Sequence, residues 1–171
     1  MPTPKESLWE KRCYNMKVIG LTGLGKTAIS FALRLRKEGM TVVGYDPLDV
    51  NRKKADASGI VTTSSIQAVV LHLPQPKNVW LIPPVGKPTD AVVRQLADLL
   101  SPGDLFLDGS ASYPQKKARR QAIFKNKNIR YLALDVKAAL NGHPVEFFGD
   151  LEAFEQYKPL FEKIFVVNDE R

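Results

Sequence analysis

The sequence predicts an α/β fold, a doubly wound, mostly parallel sheet with helices on both faces. Three observations carry this. Short apolar runs alternate with amphipathic stretches along nearly the whole chain, the pattern of repeated β–α units. Several runs are apolar throughout rather than at every second residue, as strands covered on both faces require. With 171 residues, of which 44% are apolar and 25% charged, the chain suits one domain with its own core.

Each element has a local reason. Residues 1–15 carry Pro2, Pro4 and mixed charge without periodicity and read as an N-terminal extension to a domain spanning 16–171. MKVIGLT (16–22) is a buried strand. Residues 25–38 place Ala28, Phe31, Ala32 and Leu35 at helical spacing, and Gly39 stops that helix before the strand TVVGYD (41–46). A charged helix covers 48–57, and Ser64 and Ser65 are caps for a short helix through Leu71. The strand VWLIP (79–83) leads to a helix over 87–100, with Val92, Val93, Leu96, Leu99 and Leu100 on one side. SPGD is a turn and LFLD (105–108) a strand. A basic helix over 113–126 precedes IRYLALD (129–135), then a Gly/Pro-marked loop, a further strand in PVEFFG (144–149) and a helix over 151–164.

The first strand ends in Gly23-Leu24-Gly25-Lys26-Thr27-Ala28, a G-x-G-x-x-A turn that opens a helix. The first glycine permits a tight turn, the second lets a pyrophosphate approach the backbone, and the small third residue lets helix and strand pack closely. The helix N-terminus then offers free N–H groups and partial positive charge to phosphate. Asp46 closes the next strand 21 residues after Gly25, where a carboxylate accepts hydrogen bonds from a ribose. This is a Rossmann-like dinucleotide site. The same residues also spell Gly20-x-x-x-x-Gly25-Lys26-Thr27, a triphosphate loop, with Asp108 as a second metal carboxylate. That reading starts its loop at Gly20 and leaves Asp46 unexplained.

Charge and composition bound the partners. Lys and Arg number 25 against 18 Asp and Glu, a net +7, which favours an anionic ligand. The basic residues Lys116, Lys117, Arg119, Arg120, Lys125, Lys127 and Arg130 read as a solvated helix face, with too few aromatics among them for a nucleic-acid surface. Two His and one Cys, far apart, argue against a metal site. His72 reads as a helix-end residue. The lone Cys13 forms no internal disulfide and has no catalytic context, so a cytoplasmic location is expected; the apolar runs are too short to span a membrane.

The segments VIGLTGLGKTAISFALRLRKEGMTVVGYD, VWLIPPVGKPTDAVVRQLADLLSPGDLFLDGS and GDLEAFEQYKPLFEKIF, in this order and spacing, resemble the N-terminal cofactor domain of 6-phosphogluconate dehydrogenase and the 3-hydroxyisobutyrate dehydrogenase-like enzymes. The resemblance implies an NAD or NADP site. Gly23, Leu24, Gly25 and Lys26 fall on the family's phosphate turn, Asp46 falls where the ribose is selected, and Ile82, Pro83 and Pro84 fall on the loop beside the cofactor. A carboxylate at Asp46 repels a 2′-phosphate and favours NAD, while Arg52 and Lys53 lie close behind as potential phosphate partners.

The substrate side departs from the family. Its segment resembles D-G-G-N-S or D-x-S-T-x-x-P; here it reads Asp108-Gly109-Ser110-Ala111-Ser112-Tyr113-Pro114, so Ser110 is the substrate candidate and Ala111 replaces a polar residue. The next segment, usually S-G-G, reads Val136-Lys137-Ala138-Ala139-Leu140-Asn141-Gly142-His143, with Lys137 and His143 as weak acid/base candidates. The family's catalytic lysine belongs to a helical C-terminal domain, and this chain stops at Arg171. The expectation is a cofactor-binding, sensing or scaffold domain without complete catalytic machinery; the alternative is an oxidoreductase acting on a hydroxyacid or sugar acid with a partner-supplied catalytic part. The apolar tail Ile164 to Val167 predicts a homodimer or a protein partner, through strand pairing.

Overall fold

The alternation of buried runs and amphipathic stretches builds a seven-stranded sheet in the order β3-β2-β1-β4-β5-β6-β7. The computed structural model describes residues 17–83 and 89–165. The strands are β1 (Val18–Thr22), β2 (Thr41–Tyr45), β3 (Val61–Thr62), β4 (Asn78–Leu81), β5 (Leu105–Asp108), β6 (Arg130–Leu134) and β7 (Phe147–Gly149). All pairings are parallel except β6 with β7. The helices are α1 (Lys26–Lys37), α2 (Asp49–Ala57), α3 (Ile66–Leu71), α4 (Asp90–Leu99), α5 (Pro114–Lys125), α6 (Val136–Leu140) and α7 (Leu151–Ile164).

Strand pleating sends alternate side chains to opposite faces, and each face has its own core. Ile19, Leu21, Trp80, Leu105 and Leu132 pack towards Phe31 of α1 and towards Tyr157 and Phe161 of α7. Val79, Leu81, Phe106 and Tyr131 pack on the other side against Val69 of α3, Leu96 of α4 and Phe124 of α5. β1 lies between β2 and β4. The chain therefore builds outward from β1 in both directions, and this reversal leaves a crevice at the carboxyl ends of the strands.

Most expected elements are present, with ends shifted by one to three residues. Ser65 caps α3 by accepting from the Ala68 N–H, and His72 ends that helix with Nδ1 2.6 Å from the Ala68 carbonyl. Two elements went unread: β3, two residues long, and α6, five residues within the expected loop. α6 forms because Asp135 caps it, accepting from the Ala138 N–H at 3.0 Å.

The tail expectation needs correction. Ile164 and Phe165 are 3% and 5% exposed, Phe165 stacks on Phe31 with ring centroids 6.1 Å apart, and Arg34 donates to the Ile164 carbonyl at 2.5 Å. These two residues dock on their own domain because an aromatic side chain gains more buried area against Phe31 and Phe161 than a solvent-facing strand offers. Val166, Val167, the extension 1–15 with Cys13, and Pro84 lie outside the described residues.

Candidate functional site

The turn after β1 is made by two glycines with different duties. Gly23 has φ +91, and a Cβ there would run into the Ile82 carbonyl, so the fold itself excludes a side chain. Its N–H donates to the Tyr45 carbonyl at 2.8 Å. Gly25 has an ordinary φ of −73, and a Cβ there would meet nothing within 4 Å. Between them Leu24 is fully buried.

The space over Gly25 lies at the start of α1. The Ile29 N–H bonds back to the Gly25 carbonyl, whereas the N–H groups of Lys26, Thr27 and Ala28 make no hydrogen bond among the described residues. The first helical turn has no acidic side chain and begins with Lys26. A pyrophosphate satisfies every feature of this cradle: open approach at Gly25, orphan donors, and the positive end of a twelve-residue helix.

The triphosphate-loop alternative fails on geometry. Gly20 is inside β1, paired with Val43 and Val79, and a Cβ there would lie 2.8 Å from Leu73 Cδ1. The strand runs on to Thr22, so the long loop that reading needs is not formed. Its metal carboxylate, Asp108, is committed elsewhere, as described below.

Asp46 stands at the end of β2 beside the turn, 1% exposed. Its Oδ2 accepts from the Leu24 N–H at 2.9 Å and its Oδ1 from the Leu48 N–H at 2.8 Å. The carboxylate therefore clamps the glycine turn to the entrance of α2, with one further lone pair per oxygen for a ligand. Arg52 is folded back: Nη1 donates to the carbonyls of Asp46 (2.7 Å) and Pro47 (3.1 Å), and Nη2 lies 3.4 Å from Asp49. Lys53 pairs with Asp49 at 3.0 Å.

A cleft of about 790 Å³ runs from Gly25 and Lys26, past Ile82 and Pro83, to Ser110 and Lys137. The fold thus brings the expected turn, the β4 loop and the substrate segment to one space. It separates the two acid/base candidates. Lys137, on α6, lines this cleft with no partner among the described residues. His143 lines a different cavity of about 300 Å³, with Glu146.

The expected basic face is broken up. Arg120 is 3% exposed and its Nη1 donates to Asp108 Oδ2 at 2.7 Å. Lys127 pairs with Asp98 at 2.7 Å, Arg130 donates to Gln156 at 3.1 Å, and Lys116 faces the cleft 3.9 Å from Asp90. Arg120 turns inward because β5 ends in Asp108, a wholly buried carboxylate that needs a countercharge. Tyr131 Oη donates to the same Oδ2 at 2.6 Å. Burial pushes the Tyr131 hydroxyl far above its ordinary pKa, and the Asp108 charge adds to this. Burial disfavours the charged form of Arg120, but Asp108 outweighs it and raises its pKa. Ser110 Oγ, Ser112 Oγ and Thr89 Oγ1 lie 3.0, 3.2 and 2.5 Å from the guanidinium, and Asp90 Oδ1 completes the network 3.5 Å from Nη2. Sequence reading missed Ser112, Thr89 and this use of Arg120. The available signal was the spacing of Arg120 and Phe124, one turn apart on the buried face of α5.

Fold and site together define a dinucleotide-binding domain. The family described as the NAD binding domain of 6-phosphogluconate dehydrogenase matches residues 18–165, and the chain belongs to it: it is an NAD(P)-binding domain of the 6-phosphogluconate dehydrogenase family. The NAD(+)-dependent, decarboxylating 6-phosphogluconate dehydrogenase of Bacillus subtilis is 30% identical over 154 residues, which cover 85% of this chain and 33% of that protein. Among solved structures, the 3-hydroxyisobutyrate dehydrogenase of Mycobacterium tuberculosis superposes with a TM-score of 0.72 at 22% identity, over 86% of this chain and 52% of that one. The 6-phosphogluconate dehydrogenase of Plasmodium falciparum gives 0.69 at 20% identity, over 85% and 33%. The chain therefore spans about a third to a half of the length of these relatives. No helix among the described residues is long and apolar enough to cross a membrane.

Proposed function

We propose that this domain binds NAD in preference to NADP and, as it stands, holds the cofactor without complete catalytic machinery, in a binding, sensing or scaffold role. The observation that carries the reading is the α1 cradle, where N–H groups without a partner among the described residues face the open space at Gly25. The preference for NAD rests on Asp46, whose charge opposes a 2′-phosphate, and on Arg52, whose guanidinium is engaged by Asp46, Pro47 and Asp49. Bound NAD supplies a ring that gives or takes a hydride. On the substrate side, Ala111 has no hydrogen-bonding side chain, and Lys137 is the one polar side chain of the Val136–Ala139 segment. Titration with NAD, NADP and Mg-ATP tests the binding reading; tight Mg-ATP binding with no NAD affinity overturns it.

One observation favours a second reading, an NAD(P)-dependent oxidoreductase completed by a partner-supplied part. Lys137 presents an ammonium without a partner among the described residues to the same cleft as the cofactor turn, where it would hold the anionic end of a hydroxyacid or sugar acid. Turnover assays on 6-phosphogluconate and small hydroxyacids, with Lys137→Ala as control, separate the two readings. Activity that depends on Lys137 supports the second.

A further inference from the structure

The Asp108–Arg120 pair costs desolvation and adds little net stability over an apolar pair. Yet the guanidinium reaches three cleft-lining hydroxyls. Counting protons shows what this does. Asp108, in an ion pair with Arg120 at 2.7 Å, only accepts. Its Oδ1 takes the Ser110 N–H at 3.1 Å and the Ser110 hydroxyl at 2.5 Å; its Oδ2 takes Arg120 and Tyr131. The single hydroxyl proton of Ser110 is therefore used inward. Ser110 Oγ then has only lone pairs to offer. It receives Arg120 Nη1 at 3.0 Å, and in its 2.8 Å contact with Ser112 Oγ the donor must be Ser112. Ser112 has thus also given up its proton; Arg120 Nη1 has two N–H groups, one spent on Asp108 and the other shared between Ser110 Oγ and, at 3.2 Å, Ser112 Oγ. Ser112 Oγ, half-buried on the cleft, has a lone pair left. Thr89 differs, since it accepts from Arg120 Nη2 and keeps its own proton.

We propose that Arg120 is a positioning residue: with Asp108 it turns the protons of Ser110 and Ser112 inward, so that Ser112 Oγ meets the cleft's occupant as an acceptor and selects a neutral group carrying an N–H or O–H donor. The inference rests on the dinucleotide reading of the cleft. It assigns recognition to Ser112 rather than to Ser110, whose lone pairs and proton are all used. A carboxylate or phosphate gains nothing from Ser112, so an anionic end belongs at Lys137. Two groups share the selected chemistry: the carboxamide NH₂ of the nicotinamide, and a hydroxyl of the substrate.

The test compares NAD with 3-acetylpyridine adenine dinucleotide, which has a methyl ketone in place of the carboxamide, and adds D-gluconate binding to the NAD-loaded protein. If Ser112 reads the carboxamide, the wild-type protein prefers NAD about tenfold, the effect of one hydrogen bond. Ser112→Ala then brings the ratio near one, and Arg120→Lys, which keeps the charge beside Asp108 but loses the fork, lowers it at least threefold. A merely structural role for Arg120 would weaken both dinucleotides equally and leave the ratio in place. If Ser112 reads a substrate hydroxyl, the ratio stays fixed while Ser112→Ala and Arg120→Lys weaken gluconate binding several-fold. A ratio and a gluconate response that are both unmoved by Ser112→Ala overturn the proposal. Failure of the wild-type protein to bind NAD at all would instead overturn the cofactor reading, and the first titration reads this before any variant is made.

Discussion

Replacing Gly25 by valine should remove dinucleotide binding while leaving the domain folded. The backbone at Gly25 is extended, with φ −73 and ψ −176, which a β-branched residue adopts freely, and a Cβ there meets no atom within 4 Å. The fold therefore loses only the small difference between glycine and valine at a helix N-cap, about 1 kcal/mol, or a melting-point shift of about 2–4 °C for a domain of this size. Binding loses far more. The new methyl groups stand over the N–H groups of Lys26, Thr27 and Ala28, where a pyrophosphate has to approach. Two charge-assisted hydrogen bonds of about 1.5–3 kcal/mol each come to about 3–6 kcal/mol, a rise in Kd of roughly two to four decades. Calorimetric titration with NAD reads the Kd, and a thermal melt confirms folding. Gly23→Ala is the counter-case: its positive φ and the Ile82 carbonyl leave no room, so the melt itself should collapse. A folded Gly25→Val protein that binds NAD within threefold of wild type would refute the placement of the pyrophosphate.

Three further outcomes are expected. Asp46→Ser should move the preference towards NADP and also lower the melting temperature, since the carboxylate holds the Leu24 and Leu48 N–H groups; an unchanged ratio of the two affinities would show that Asp46 does not face the ribose. Tyr131→Phe should flatten the alkaline limb of stability: the folded pKa is raised, so above the ordinary tyrosine value near 10 the unfolded chain loses a proton that the folded one keeps, and stability falls as pH rises. Denaturant melts at increasing pH check this, and an identical slope in wild type and variant would remove Tyr131 as its source. Light scattering at micromolar concentration should show a homodimer or larger species, the exposed apolar residues Leu71 and Leu151 being candidate contacts; a monomer would leave only a different protein partner.

Much of the fold was legible because its causes are local. Strand periodicity, the Ser65 cap and the glycine turn each depend on residues within a few positions of one another, and the spacing of Gly23, Gly25 and Ala28 is a chemical requirement of a phosphate cradle. The two glycines look alike in the sequence, however. Gly23 is required by a carbonyl of the neighbouring strand segment at Ile82, while Gly25 is bounded by open space. Asp46 likewise reads as a ribose ligand from its position, and its second duty as a clamp on Leu24 depends on how β2 closes against the turn. Arg120 shows the limit most plainly. In a run of Lys and Arg nothing distinguishes it from its solvated neighbours. Its burial is decided by Asp108 and Tyr131, 12 positions away for the one and on a different strand for the other. A guanidinium enters a core only where carboxylates and hydroxyls converge to receive all but one of its donors, and that convergence comes from strand order, which places β5 beside β6 with α5 packed against them.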